Sequence, residues 1–353
     1  MSPFLPAEPA EVAECVTEAA AKRTALSIIG LGSKAALGRA TKNAGRLDIS
    51  RLNGVTFYES GELVFSALAG TPIDAIETML AKNAQELAFE PMSFAALYGT
   101  GSGTLGGSIM ANLSGPRRIK AGAARDFVLG IKAVSGRGEA FKAGGRVVKN
   151  VTGYDLSRGL AGSFGTLAVT TEVTLKVLPR GETSATLILA GLDPAPAITA
   201  LCAAMGAPAD VSGAAHLPPF AARTQGFSTS ITALRLEGFA PSVAGRLDWL
   251  DAMLKDIAPT ARLDAPASQK LWRAVRDVEP LACPREKIIW KISVAPTAGP
   301  KVAERVARAC DAEALFDWSG GLVWLALDPC PGAAADVIRQ AVAENGGGHA
   351  TLI

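Results

Sequence analysis

Apolar positions in the first half of the chain come in short runs separated by polar or glycine-rich breaks. A helical spacing covers residues 8–23, and a short apolar strand at 25–29 enters the loop Gly30-Leu31-Gly32-Ser33-Lys34. Strands follow at 46–49, 55–59 and 63–69. Thr71 as N-cap, with Pro72 at the first helical position, opens a helix to about residue 83. Glycines lead into a short helix at 104–113, and residues 127–134 pair with 139–142 as a hairpin about Gly136-Arg137-Gly138. The alternating run TLAVTTEVTLKVL makes 166–178 a long strand. Pro179-Arg180-Gly181 then marks a boundary.

Beyond it the pattern changes. Strands are expected at 185–190, 211–215, 229–236, 287–294, 314–318, 322–327 and 349–353, with helices at 195–205, 242–257, 267–278, 301–310 and 334–344. The order strand–helix–strand–strand–helix occurs twice. That is the split βαβ arrangement of a ferredoxin-like layer, duplicated into one antiparallel sheet with helices on one face.

A chain of 353 residues has room for two domains or three small ones. A formal charge of +2 gives no basic field for nucleic acid and no acidic tail. Hydrophobic residues make up 49% and the mean hydropathy is +0.25, much of it from alanine, yet no apolar run reaches the ~18 residues of a spanning helix. Acidic residues stand where an export signal would carry bases, which points to the cytoplasm. The five cysteines are scattered with no C-x-x-C, so no disulfide framework, zinc site or iron–sulfur cluster is expected on this chain.

Sixteen of the 68 residues from Gly99 to Thr166 are glycine, against 37 of 353 overall, so the backbone there must approach something closely. Arg117, Arg118, Lys120 and Arg125 lie in the same stretch. Together they suggest a large anionic cofactor held mainly by peptide N–H groups. Gly30-Leu31-Gly32-Ser33-Lys34-Ala35 fits G-x-G-x-x-A, with Asp48 further on, as in a Rossmann fingerprint. Gly38 and Gly45 interrupt the crossover helix that such a unit requires, and a strand–turn–strand reading stands beside it. Gly103-Thr104-Leu105-Gly106-Gly107 and Gly162-Ser163-Phe164-Gly165-Thr166 supply two more loops. Three loops in one domain suit a dinucleotide clamped between two small lobes.

The ordered series TLGGSIMANLSGPRR, RDFVLG and GGRVVKNVTGYDLSRGLAGSFGTLAVTTEVTLKVLP resembles the vanillyl-alcohol-oxidase (PCMH-type) flavoproteins. Within that superfamily it is similar to the family of FAD-binding E subunits of bacterial glycolate oxidase. LWR at 271–273 and GGHATL at 347–352 fit the same family. The resemblance implies an α+β chain: a two-lobed PCMH-type FAD-binding domain at 1–180, with lobes of about 1–54 and 55–180, then a ferredoxin-like cap at 181–353. It implies that Gly30, Leu31, Gly32, Ser33 and Lys34 form the first loop on the FAD diphosphate. Gly103, Thr104, Leu105, Gly106 and Gly107 form the second, with Leu113 and Ser114 near the flavin, and Gly162, Gly165 and Val169 lie by the flavin or adenine. Covalent members carry a histidine in the first loop. Lys34 stands there instead, so non-covalent FAD is expected. Tyr154-Asp155 matches the family's G-Y-D step.

The activity implied is oxidation of glycolate, or another small 2-hydroxy acid, to the 2-oxo acid. Electrons would pass to a second FAD-containing subunit and an iron–sulfur subunit, through which the chain could also associate with a membrane. Such chemistry needs a base for the hydroxyl proton and a cation for the carboxylate. His349, in the glycine-rich Gly346–Leu352 run, is the base candidate. Arg273 and Arg276, near Trp272 on one helix, are the cation candidates. No metal ligand set is apparent. Each glycine is also compatible with a tight turn, His349 with a structural role, and the helix face with a solvated basic surface. His216, before Leu217-Pro218-Pro219, reads as loop punctuation. Two alternatives stand: a self-sufficient FAD-dependent 2-hydroxy-acid dehydrogenase, and a non-catalytic structural or electron-relay subunit.

Overall fold

A computed structural model describes residues 3–37, 45–146 and 154–353; Gly38 and the segment from Lys149 to Gly153 of the K-N-V-x-G-Y-D motif lie outside the described residues. Packing divides the chain into two units, residues 1–114 with 122–180, and residues 115–121 with 181–353. The segment Gly115–Ala121, expected in the cofactor domain, therefore belongs to the second unit.

In the first unit α1 (Pro9–Ala21) starts at a proline, whose missing N–H costs nothing there. The Glu11 carboxylate accepts from the Ala7 and Glu8 N–H groups at 2.6 and 3.3 Å. Val12, Val16 and Ala19 recur at helical spacing and are buried. After α1 come β1 (Leu26–Ile29) and β2 (Gly45–Asp48), which pair in parallel. Val12 and Val16 join Leu47, Ile49, Leu52, Val134 and Val169 in one cluster.

Next come β3 (Val55–Glu59), β4 (Val64–Leu68) and α2 (Ile73–Ala81). Pro72, not Thr71, is the N-cap of α2. The Thr71 hydroxyl is turned back: it donates to the Leu68 carbonyl at 2.7 Å and accepts from the Gly54 N–H at 3.0 Å. The unit continues with β5 (Gln85–Glu86), α3 (Ala95–Tyr98) and α4 (Leu105–Ala111). After α5 (Arg118–Ala121), which sits in the second unit, come β6 (Val128–Ser135), β7 (Ala140–Gly144), α6 (Leu156–Leu160), β8 (Ala168–Lys176) and β9 (Leu178–Pro179). The main sheet runs β3-β4-β8-β6-β7, antiparallel throughout, with the long alternating strand β8 at its centre.

The second unit holds β10 (Thr183–Ala190), α7 (Pro194–Met205), β11 (Gly213–Leu217), α8 (Pro219–Thr224), β12 (Ile231–Gly238), α9 (Ala240–Leu254), β13 (Thr260–Leu263) and α10 (Ala265–Arg276). It ends with β14 (Ile288–Ser293), α11 (Gly299–Ala307), β15 (Ala312–Asp317), β16 (Leu322–Leu327), α12 (Ala335–Glu344) and β17 (His349–Leu352). Eight strands form one antiparallel sheet in the order β13-β10-β12-β11-β15-β16-β14-β17. Each half is a ferredoxin-like βαββαβ layer, and the halves meet at β11 and β15.

Apolar residues of α7, α9, α11 and α12 fill a core on one sheet face with Leu187, Leu234, Trp290, Ile292, Phe316 and Leu325. The expectation of helices on one face only is corrected by α10. It packs on the other face, where Trp272 Nε1 donates to Thr186 Oγ1 at 2.9 Å. Two elements of this second set were not anticipated: α8, a short turn starting at Pro219, and the four-residue edge strand β13. Both are too short for periodicity to register.

Candidate functional site

Three glycine loops converge in the first unit. The loop Gly30–Lys34 leaves β1 and meets the loop that enters α4. A Cβ on Gly30 would lie 2.6 Å from Thr104 Oγ1. At Gly103, where φ is +87°, a Cβ would overlap Ser33 Oγ and come 3.0 Å from Lys34 Nζ. Thr104 is the N-cap of α4 and accepts from the Gly107 N–H at 3.2 Å. Much of this glycine content therefore lets the loops lock onto each other, not onto a ligand. The third loop is tied in by Gly162 N–H to the Ile109 carbonyl (3.2 Å) and Phe164 N–H to the Met110 carbonyl (2.9 Å). Gly103→Val is expected to lower the chain's stability by about 2–4 kcal/mol through positive-φ strain and overpacking. A urea unfolding curve measures it.

What remains open is a set of donors. Among the described residues, the N–H groups of Leu31, Gly32, Ser33 and Lys34 donate to no carbonyl. Lys34 Nζ lies 3.5 Å from Ser33 Oγ and 5.5 Å from the Phe94 ring centre, with no carboxylate partner among the described residues. Burial pulls its pKa down to about 8. The Tyr98 ring stacks on Phe94 at 5.4 Å. Its hydroxyl is buried with no hydrogen-bond partner among the described residues, and burial pushes its pKa up to about 12. Unclaimed N–H groups and a dehydrated ammonium call for an anion with several oxygens. A diphosphate has that chemistry, so these residues fit FAD.

The other expected cofactor residues divide. Leu31 is exposed beside the loop, whereas Leu105 and Val169 are buried in the core and leave no side-chain surface open. Leu113 and Ser114 are buried at the end of the unit, and Ser114 Oγ accepts from the Ala124 N–H at 2.9 Å. Tyr154 is 89% exposed, so it is not a buried tyrosine, while Asp155 caps α6 through the Arg158 N–H at 3.1 Å.

The basic run after Ser114 does not gather around a cofactor. In the second unit the Arg117 guanidinium grips Glu237 through two bonds of 3.0 and 2.7 Å. Arg118 stacks 4.4 Å over Trp318, Ile119 packs against the core, and Lys120 pairs with Asp210. Trp318 Nε1 donates to the Gly115 carbonyl at 3.1 Å. Gly115–Ala121 is thus a strap, which corrects its reading as cofactor-binding charge. Arg125 stays in the first unit and is exposed, 3.9 Å from Asp126.

The catalytic candidates are not brought together. Arg273 is exposed on α10, and the Arg276 guanidinium donates to the neighbouring Asp277 at 2.9 and 2.8 Å. Trp272 is buried under Arg235. α10 packs on β10 and β13, at the opposite sheet edge from β17, where His349 lies exposed. His216 is in strand β11, not a loop. It is fully buried, with Nδ1 3.0 Å from Thr232 Oγ1, and burial lowers its pKa to about 4.

Strand pairing puts directly opposed residues on one face. Lys291 opposes Trp324 and Thr351, and Ser293 opposes Leu322 and His349, so these share the face turned away from the main core. Lys291 escaped the sequence reading, although a lysine inside the apolar strand IIWKIS was a visible signal.

The chain matches the FAD binding domain family over residues 4–144. It is 33% identical to glycolate oxidase subunit GlcE of Escherichia coli K12 over 338 residues, covering 96% of this chain and 85% of that one. A shorter match, 44% over 85 residues, is to glycolate oxidase subunit GlcD of Bacillus subtilis 168, covering 24% of this chain and 18% of that one. The solved structure of p-cresol methylhydroxylase with substrate bound shares the fold, with a TM-score of 0.74 at 11% identity over 96% of this chain and 78% of that one.

Proposed function

We propose that this chain, which belongs to the family of glycolate oxidase subunit GlcE, is the FAD-binding subunit of a complex that oxidises glycolate to glyoxylate. FAD is its cofactor, and the family is one of FAD-linked oxidoreductases. The supporting observation is the set of loop N–H groups that donate to no carbonyl, beside a Lys34 ammonium that has no carboxylate partner, both among the described residues. In this reading Gly30–Lys34 and Gly103–Gly107 hold the diphosphate, and Lys34 offsets its charge without a covalent bond.

When bound, held by Gly30–Lys34 and Gly103–Gly107, FAD would supply the hydride-accepting chemistry that oxidation of a 2-hydroxy acid needs. His349, exposed on the edge strand β17, is the base candidate that this reading keeps for the hydroxyl proton. The arginines of α10 are not carried into this reading, because Arg276 is held by Asp277 and Arg273 points to solvent. Electrons leave to a second FAD-containing subunit and an iron–sulfur subunit. Among the described residues no helix is long and apolar enough to cross a membrane; this reading assigns any membrane association to those partners.

The test is a visible spectrum under anaerobic conditions. The purified chain is expected to show flavin bands. The assembled complex is expected to bleach with glycolate, and omission of this chain to abolish that bleaching. A chain that cannot be reconstituted with FAD, or a complex fully active without it, overturns the proposal. Bleaching of the isolated chain by glycolate would make it self-sufficient.

A further inference from the structure

The Tyr98 hydroxyl is buried and makes no hydrogen bond among the described residues. Burying a hydroxyl without a partner costs free energy that the surrounding packing must offset, so most buried hydroxyls are bonded. Tyr98 is also held firmly. It closes α3, its N–H donating to the Phe94 carbonyl at 2.8 Å, and Gly99 follows in the left-handed region at φ +68°. Its ring lies 5.4 Å from that of Phe94 with the planes 6° apart, and Phe94 is fully buried. The stack keeps the ring from turning its hydroxyl out to water.

Two contacts set this ring beside the first glycine loop. Thr100 Oγ1 donates to the Ser33 carbonyl at 3.3 Å, which ties the chain just past Tyr98 to that loop. Lys34 Nζ lies 5.5 Å from the centre of the Phe94 ring on which Tyr98 stacks. Lys34, Phe94 and Tyr98 thus form one cluster next to N–H groups that donate to no carbonyl among the described residues. Burial keeps the tyrosine protonated to about 12, so it is an O–H donor at any working pH. A donor beside a dehydrated ammonium suits an acceptor oxygen that carries negative charge.

We infer that Tyr98 is a further cofactor-binding residue, whose hydroxyl donates to a phosphate oxygen of FAD. This rests on the reading in which Gly30–Lys34 hold the diphosphate. The Phe94 stack aims the donor in advance, so the bond forms without ordering a loose side chain.

Tyr98→Phe deletes the hydroxyl and keeps the ring. The experiment measures the melting midpoint of the full-length chain without cofactor, and its FAD affinity by flavin fluorescence titration. The midpoint of the cofactor-free variant is expected to equal that of the wild type or exceed it, because an unbonded hydroxyl is taken out of burial. FAD affinity is expected to fall about 10- to 100-fold, the loss for one hydrogen bond to a charged group. A packing role would not give an unharmed free chain together with weakened binding. Tyr98→Leu, which loses the stack as well, is expected to lower the cofactor-free midpoint. Unchanged FAD affinity in Tyr98→Phe overturns the inference and leaves the flavoprotein reading standing. A lower cofactor-free midpoint in Tyr98→Phe would place the hydroxyl's partner within the chain and also overturns it. A wild type that takes up no FAD overturns both.

Discussion

Glu237→Ala is expected to destabilise the second unit by about 3–5 kcal/mol, the loss when one partner of a buried ion pair is removed. Glu237 is only 20% exposed. It lies between Arg117, bonded at 2.7 Å and 13% exposed, and Arg235, at 3.4 Å and 4% exposed. Removing the carboxylate takes from both guanidiniums the anion that they share. Arg117→Met costs less, because Glu237 keeps Arg235. Denaturant unfolding of the full chain measures both, and a shift near zero for Glu237→Ala would mean the strap is not anchored there.

The pH profile gives a second reading of the same group. Burial by itself raises the Glu237 pKa, but the Arg235 charge and then Arg117 outweigh it and hold it at about 2. A carboxylate lowered by folding contributes stability above its unfolded pKa, near 4.5, and loses it as pH falls through the folded value. The wild type is therefore expected to lose stability between about pH 4.5 and 2 more steeply than Glu237→Ala.

The same strap shows where the sequence is mute. Arg117, Arg118 and Lys120 follow a glycine-rich run, and adjacency alone assigns them to its ligand. Their partners Glu237, Trp318 and Asp210 are about a hundred or more residues away. No local periodicity links them. The glycine loops were legible because their constraint is local: residues within a few positions must bend, and Gly103 does so at a φ few side chains adopt.

The duplicated ferredoxin-like order was readable for a similar reason. Its apolar strands and alanine-rich helices differ in period, and they alternate in the same order twice. His216 misled because Pro218 and Pro219 signal a loop, whereas pairing with Thr232 and Phe316 buries it in mid-sheet. Arg276 misled because helical spacing to Trp272 suggests a shared pocket. Spacing cannot report that Trp272 turns to Thr186 and Arg276 to Asp277. Distant pairings decided each of these positions, and they decide which cations remain available for chemistry.

Lys34→Met is expected to weaken FAD binding about 10- to 100-fold at pH 7, where a buried ammonium facing a diphosphate makes charge-assisted bonds that a thioether cannot. The pH dependence carries the sharper test. Without cofactor, Lys34 loses its proton as pH passes about 8, because burial disfavours the charged form. With Lys34 on the diphosphate as proposed, only the protonated form offsets its charge, so wild-type affinity is expected to fall as pH rises from 7 to 9, by up to about tenfold per unit above the folded pKa.

Stability without cofactor runs the other way. The unfolded lysine keeps its proton to 10.5 while the folded one releases it near 8, so the cofactor-free chain gains stability across that window. Bound FAD holds the proton on and removes the gain. Lys34→Arg, charged throughout, should bind FAD with no pH dependence in this range. Flavin fluorescence titrations at pH 7, 8 and 9 read all three variants. A wild-type affinity that stays flat with pH, or a methionine variant that binds as tightly, would take Lys34 out of contact with the diphosphate and leave the loop N–H groups to hold it.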